Sequence, residues 1–158
     1  SVQTVFPSAI STFGADPASI IFVSMKQQKD VLWAMEEALK CPGITAVLAE
    51  IHQLDFVQSR RLQLAVEKSK VTGFILQHNP KLLLATTCAA RWKVTSLPSQ
   101  SDEGLPGIGN PCWNVELLKV RNGTAAKGKI VWTPKGFKIF SNKDVESKNW
   151  NYNYQNLG

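Results

Sequence analysis

The fold is decided by residues 44–77, which read ITAVLAEIHQLDFVQSRRLQLAVEKSKVTGFILQ. Short apolar runs rich in β-branched residues open and close this stretch, and the segment between them has apolar residues at helical spacing. This pattern is typical of two parallel strands joined by a crossover helix. Asp55 and Gln58 have the spacing of a capping box at the start of that helix. We therefore predict an α/β protein whose parallel sheet is buried on both faces.

Each predicted strand of this stretch ends in a polar residue, Glu50 in the first and Gln77 in the second. Ligands of open parallel sheets bind beyond the carboxyl ends of the strands, so we expect any chemistry there. Glu50 is either a carboxylate that holds magnesium beside a nucleotide or a structural residue that caps a loop or pairs with a cation. Gln77 either senses a ligand or makes a structural hydrogen bond. The nucleotide interpretation requires a phosphate-binding loop, and the 158 residues contain no GxxxxGK[ST] motif.

Elements on either side of this stretch follow from hydrophobic periodicity. We predict an irregular segment over residues 1–18 and a buried strand over residues 19–24. Residues 27–40 have the pattern of an amphipathic helix, with the acidic pair at 36 and 37 on its solvated side. Residues 81–90 fit a short helix or a packed loop.

The last third of the chain changes to the alternating period of antiparallel strands. Such strands are predicted at 91–95, 113–120, 129–133 and 135–140. A loop rich in Pro, Gly and Ser occupies residues 98–111, and Asn122 followed by Gly123 is a hairpin signal. We expect these strands to extend the parallel part into one mixed sheet, followed by a flexible polar tail over residues 141–158.

The composition indicates one domain without metal or membrane association. A net charge of +6 suits an acidic partner such as nucleic acid, but the charge is spread along the chain without a run of Lys or Arg. The three cysteines are an odd number without CxxC spacing, which predicts reduced thiols in a cytoplasmic protein and argues against a zinc site. No apolar run approaches the roughly 18 residues that a membrane span needs.

Five residues are candidate contacts for a partner protein or DNA. Arg60 and Arg61 open the second helix, where the helix dipole disfavours cations, so they either clamp an anionic group or are solvated. Lys119 and Arg121 are two positions apart on a predicted strand and therefore on one face, which gives a possible anion contact. Trp150 lies in the polar tail and is a candidate aromatic anchor for a partner.

Particular strings and their order resemble the ImuA family, RecA-like accessory proteins of bacterial error-prone repair. The strings that carry the resemblance are FGADP at 13–17, IIFV at 20–23, VLWAMEEAL at 31–39, SRRLQLA at 59–65, VTGF at 71–74, RW at 91–92 and VELLKVRNG at 115–123. The resemblance covers about residues 5–133, and VLWAMEEAL and SRRLQLA are its most specific parts.

The resemblance implies a RecA-like three-layer core over residues 1–140 in which the phosphate-loop strand is missing. Glu50 then resembles the Walker-B carboxylate, Gln77 resembles the nucleotide-sensing glutamine, and Lys119 with Arg121 resembles the basic pair that faces nucleotide across a subunit boundary. Without a phosphate loop we expect no ATP hydrolysis, no cofactor and no enzymatic activity. The family's role implies protein contacts with a polymerase-like partner in damage-induced mutagenic synthesis, with DNA as a further partner and a homo-oligomer as one possible state.

Two other functions fit the same residues. SulA, a related RecA-like division inhibitor, blocks assembly of the tubulin-like division protein without a phosphate loop. An ATPase becomes the better interpretation if a GxxxxGK[ST] motif precedes this stretch in the intact protein.

Overall fold

The computed structural model describes residues 7–78, 80, 82, 84–100 and 109–141. These residues form two compact units, an N-terminal unit that extends to Cys88 and a C-terminal unit that begins at Ala89. The predicted tail beyond residue 141, and Trp150 within it, lie outside the described residues.

The N-terminal unit is built on a strand, helix, strand motif. Its elements in chain order are α1 (Pro7–Thr12), a 3-10 helix (Pro17–Ser19), α2 (Gln28–Leu39), β1 (Ala46–Glu50), α3 (Phe56–Ser69) and β2 (Thr72–Leu76). Strands β1 and β2 pair in parallel, with Ala46 opposite Thr72 and Glu50 opposite Leu76. The parallel pair with its crossover helix is therefore confirmed.

Local hydrogen bonds fix both ends of α3. The Asp55 carboxylate accepts a hydrogen bond from the Gln58 backbone N–H at 2.7 Å, and the Gln58 side chain accepts one from the Asp55 N–H at 3.1 Å. This is the predicted capping box. The helix ends at Lys70, whose φ of 66° is left-handed and whose N–H donates to the Val66 carbonyl. The left-handed residue turns the chain directly into β2.

The core of this unit lies between the two long helices and one face of the sheet. Its buried residues come from α2, α3, β1, the loop after β1 and the position before β2: Met35, Leu39, Ala49, Ile51, Leu54, Leu62, Ala65 and Val71. A Cβ atom placed on Gly73 of β2 would lie 3.3 Å from the Met35 methyl carbon and 3.4 Å from a Leu39 methyl carbon. The absence of a side chain at Gly73 thus lets α2 approach the sheet closely.

The opposite face of the two-stranded sheet is exposed, which corrects the prediction of burial on both faces. Leu48 is 68% exposed and Phe74, its partner in the register, is 54% exposed. Leu76 lies on the same face and is also exposed. Helices α2 and α3 pack together on the Ala49 side, so the described residues of this unit form two layers rather than three. A continuous apolar run predicts a strand but does not determine how many of its faces are covered.

The predicted strand over residues 19–24 is wrong. Residues 20–25 belong to no strand, and Ile21 is 83% exposed, with Phe22 and Val23 also exposed. A strand exists only where a neighbour supplies hydrogen bonds, and none of the described residues pairs with this segment. The start of the chain also differs from the prediction of irregular structure, because residues 7–19 include α1 and the 3-10 helix, the latter capped by the Asp16 carboxylate.

The C-terminal unit is a four-stranded antiparallel sheet. Its strands are β3 (Ala90–Gln100), β4 (Asn110–Val120), β5 (Ala126–Thr133) and β6 (Gly136–Ser141), and each pairs with the next along the chain. The predicted strands, the hairpin at Asn122 and the edge strand are confirmed, while β3 and β4 extend into the predicted loop at both of its ends. The prediction of one mixed sheet is wrong, because no described residue of β1 or β2 pairs with this sheet.

Register gives this sheet two chemically different faces. Directly paired residues of antiparallel strands point to the same face. One face is apolar and includes Trp92, Val94, Trp113, Val115, Leu117, Ile130, Trp132, Phe137 and Ile139. The Trp132 and Phe137 rings meet edge to face with centroids 4.6 Å apart. The other face contains most of the unit's charged residues.

Candidate functional site

The carboxyl ends of β1 and β2 bring together the polar residues predicted there. Glu50 is the last residue of β1, and Gln77 directly follows β2. The Glu50 carboxylate lies 3.5 Å from the Nε2 atom of His78, and both side chains are about half exposed. The Ile51 N–H donates to the Leu76 carbonyl at 3.0 Å, which continues the parallel pairing past Glu50. The two predicted positions therefore lie at the same edge of the sheet.

Two glutamine side chains hold the loop that follows β1. The Gln28 side chain, at the start of α2, accepts hydrogen bonds from the N–H groups of His52 (3.1 Å) and Gln53 (3.3 Å) and donates one to the Gln53 carbonyl (2.8 Å). The Gln77 amide donates to the His52 carbonyl at 3.3 Å. These bonds satisfy loop backbone groups that lie beyond the strand pairing. The loop is thus fixed from both α2 and β2.

This arrangement can position a loop and present one carboxylate beside one imidazole. The hydrogen bond made by Gln77 is the structural kind allowed for in the sequence prediction, while Glu50 faces solvent on the uncovered side of the sheet. Among the residues that the structure describes, no three His, Cys, Asp or Glu side chains are grouped to hold a metal ion. The nucleotide-related roles of Glu50 and Gln77 stay predictions.

The arginines that open α3 make different contacts. The Arg61 Nη2 atom lies 2.6 Å from a Glu36 carboxylate oxygen, which links α3 to α2. Glu36 also pairs with Lys40 at 3.3 Å, so it has two cationic partners. Arg60 donates to the Gln63 side chain at 3.1 Å within the same helix. Glu36 was predicted to lie on a solvated side, but its side chain is only 18% exposed because Arg61 and Lys40 lie over it.

Exposed apolar residues share helix faces with this ion pair. Trp33 precedes Glu36 by three residues on α2, and Val57 and Leu64 lie four residues before and three after Arg61 on α3. Residues three or four apart occupy one helix face. All three apolar side chains are more than half exposed. We call the exposed residues Trp33, Val57, Arg61 and Leu64 the helical surface, which does not include the covered Glu36.

The second predicted basic pair is only partly in a strand. Lys119 lies in β4 opposite Arg91 of β3, and its side chain is exposed. Arg121 follows the end of β4 in the turn toward β5, and its N–H donates to the Ala89 carbonyl at 2.7 Å. The prediction that both residues lie on one strand is therefore wrong, because β4 ends at Val120.

Sequence reasoning missed two residues that organise the N-terminal unit, Gln28 and Ser59. Ser59 is 3% exposed; its hydroxyl donates to the Phe56 carbonyl at 2.9 Å and accepts from the Thr87 N–H at 3.1 Å. It precedes the buried Leu62 by three residues, so its place on the buried stripe was the available signal. Gln28 gave no signal, because its partners are more than twenty residues away along the chain.

Comparison with known proteins shows that the chain is similar to a curated protein from two strains of one bacterial species. No known family profile matches the chain. Over 128 residues the chain is 30% identical to protein ImuA from two strains of Caulobacter vibrioides, NA1000 / CB15N and ATCC 19089 / CIP 103742 / CB 15. The chain is homologous to ImuA. The match includes 75% of the chain and 52% of each relative, so the chain spans about half the length of the curated ImuA proteins that it matches.

The homology agrees with the family that the sequence strings indicated. A match across 75% of the chain is too long to fall within the N-terminal unit alone, so it includes residues of both units. Within the described part of the chain, no helix has the length and apolar character required to cross a membrane.

Proposed function

We propose that the chain is a non-catalytic accessory protein in damage-induced, error-prone DNA repair, which acts by binding a polymerase-like protein. The observation that carries this proposal is the homology to ImuA, which supports a role in error-prone repair of damaged DNA. Because the chain spans about half of each relative, the partner and the mode of action are part of the proposal.

The absence of catalysis is proposed from the chemistry at the carboxyl ends of β1 and β2. Phosphoryl transfer depends on positioning phosphates and stabilising their charge, and proteins of this type use a phosphate loop for both. The 158-residue sequence contains no such motif, and Glu50 faces an imidazole. We therefore propose that this chain neither hydrolyses ATP nor uses a cofactor. The finer fold assignment, a RecA-like core, is also a proposal, supported by the β1, α3, β2 motif; a third layer is absent from the described residues and is proposed to cover the exposed apolar face at Leu48 and Phe74.

We propose the helical surface as the contact for the polymerase-like protein. Tryptophan and arginine are the residue types that most often dominate the binding energy of protein interfaces. Here Trp33 and the ion-paired Arg61 lie among exposed aliphatic side chains on two helices whose packing fixes their positions. A preformed surface of this kind loses little conformational entropy on binding.

The test measures binding of the purified chain to the polymerase-like protein of the source bacterium by isothermal titration calorimetry, without DNA. We expect Trp33→Ala to weaken binding at least tenfold and Arg60→Ala with Arg61→Ala to weaken it by a similar factor. Leu48→Ala is the matched control, because Leu48 is as exposed as Trp33 but lies on the sheet. It should leave the affinity unchanged.

A second control separates contact from helix packing. Glu36→Gln removes the same ion pair but keeps Arg61, so it should leave binding intact if the arginine touches the partner. Equal affinity of wild type and the Trp33 and Arg60/Arg61 variants would refute the helical surface as the contact. No binding by the wild-type chain, together with inhibition of the tubulin-like division protein, would refute the repair function and support the SulA-like alternative.

A further inference from the structure

The two units differ sharply in charge. The described residues of the N-terminal unit contain seven Lys or Arg and seven Asp or Glu residues, so their charges cancel. Those of the C-terminal unit, 89–100 and 109–141, contain eight Lys or Arg residues and one acid, Glu116. Among the described residues, the excess positive charge thus lies in the C-terminal unit.

Strand register places most of these cations on one face. In the strand register Lys93 lies opposite Glu116, and Glu116 lies opposite Lys127, so the three side chains point to the same side of the sheet. The face opposite the apolar one contains six cationic residues: Arg91, Lys93, Lys119, Lys127, Lys129 and Lys138. We call this set the basic face. Lys93, Lys119, Lys127 and Lys138 are exposed.

The one carboxylate on this face is already engaged. Glu116 accepts a hydrogen bond from the Asn114 side chain at 2.8 Å and pairs with Lys127 at 3.4 Å. Its single negative charge leaves a net charge of +5 for the face, from six cations and one carboxylate. Beside them, Phe140 is opposite Lys129 in the register and is partly exposed, which adds an aromatic ring to the basic face. Buried residues on this side are confined to the corner near Cys112 and Val131.

We propose that the basic face binds the phosphate backbone of single-stranded DNA. Residues two apart on a strand are about 6.6 Å apart and neighbouring strands about 4.8 Å apart, so the face presents a regular array of cations. A polyanion with one charge per repeat can meet several of them at once, and an exposed ring gives a surface on which a base can stack. The bases of an unpaired strand are free to stack on an exposed ring, whereas those of a duplex are stacked on one another, so the face suits an unpaired strand better than a duplex.

This inference goes beyond partner binding and uses different residues, although the choice of DNA over RNA rests on the proposed function. The experiment titrates the purified chain, without any partner, into a fluorescein-labelled 30-nucleotide oligo(dT) and follows anisotropy at 50 and 200 mM salt. A negative result in this DNA titration would not affect the conclusion drawn from the partner titration. A negative result in the partner titration would likewise not affect this one.

The test variant is Lys93→Gln, Lys119→Gln, Lys138→Gln, and its matched control is Lys26→Gln, Lys29→Gln, Lys68→Gln. Both triple variants remove three exposed lysines, but the control changes only the N-terminal unit. Each phosphate contact to a single strand contributes about 0.7 to the slope of log K against log salt, so the test variant should lower the slope by about 2. At 50 mM salt its affinity should fall at least tenfold, while the control retains the wild-type slope.

Two further measurements test whether binding depends on the charge of these lysines and whether it is specific for DNA. Replacing the same three lysines by arginine keeps the charge and should retain binding, which separates lost contacts from a misfolded sheet. Equal slopes for the test and control variants would overturn the proposal. Displacement of the oligonucleotide by poly-L-glutamate as readily as by unlabelled oligo(dT) of equal charge would also overturn it, because the face would then accept any polyanion.

Discussion

The Arg61 guanidinium lies 2.6 Å from the Glu36 carboxylate and joins α3 to α2 across 25 positions of the sequence. The Arg61 side chain is mostly exposed and the Glu36 side chain is mostly covered, so solvent screens their interaction only in part. We expect a double-mutant cycle of Arg61→Ala and Glu36→Gln to give a coupling energy of about 0.5–1 kcal/mol in urea unfolding. Additive effects of the two substitutions would show that the pair does not stabilise the helices.

The close approach of α2 to β2 at Gly73 predicts that a larger side chain at this position destabilises the protein more. An added methyl would lie 3.3 Å from the flexible end of Met35, so Gly73→Ala should change the free energy of unfolding by less than about 1 kcal/mol. Gly73→Val adds atoms between Met35 and Leu39 and should destabilise the fold by about 1–3 kcal/mol. Urea unfolding of both variants tests this, and equal stability would mean that α2 moves away without cost.

The hydrogen bonds of the buried Ser59 hydroxyl predict that removing this one group lowers the free energy of unfolding measurably. Ser59→Ala removes the buried hydroxyl that donates to the Phe56 carbonyl and accepts from the Thr87 N–H, so we expect a cost of about 1 kcal/mol after the gain in helix propensity is subtracted. Ser24→Ala is the control, since Ser24 is exposed, and should stay within about 0.5 kcal/mol of wild type. Thermal unfolding monitored by circular dichroism distinguishes the two variants. A cost at Ser59 no larger than at Ser24 would contradict the hydrogen-bond argument.

The motif from β1 to β2 was predictable because several independent signals agree. Apolar runs mark the strands, Asp55 and Gln58 mark the start of α3, and the apolar stripe at Leu62 marks its buried side. The segment at Ile21 failed because its only signal was an apolar run, and an apolar run does not specify a strand partner. The separation of the strands into two sheets could not be predicted for the same reason. Alternation of apolar and polar residues indicates a strand but not the strand with which it pairs.

The candidate surfaces were harder to predict because distant residues form them. The ion pair of Glu36 and Arg61 joins two segments, each of which alone indicates a solvated charge. On the basic face, alternation separates Lys127 from Lys129 by a residue of the other face, so no cationic run exists in the sequence. Only the register, which brings β3 to β6 together, reveals the concentration of charge.

Glu116 provides a pH-dependent prediction within the C-terminal unit. The hydrogen bond from Asn114, and then the charge of Lys127, hold the pKa of Glu116 below the ordinary value of a glutamate. A carboxyl whose pKa is lower in the folded than in the unfolded state contributes stability above its unfolded pKa and loses it as the pH falls through the folded pKa. This contribution should therefore be complete at neutral pH and disappear in the acid range below the ordinary glutamate pKa.

Carbon-13 NMR titration of the Glu116 carboxyl measures this pKa directly. Asn114→Ala should raise it toward the ordinary value, because it removes the largest cause of the shift, and Lys127→Gln should raise it by less. Lys26→Gln, in the other unit, is the control and should leave it unchanged. An unchanged Glu116 pKa in Asn114→Ala would mean that the carboxylate does not keep its hydrogen bond to Asn114 in solution.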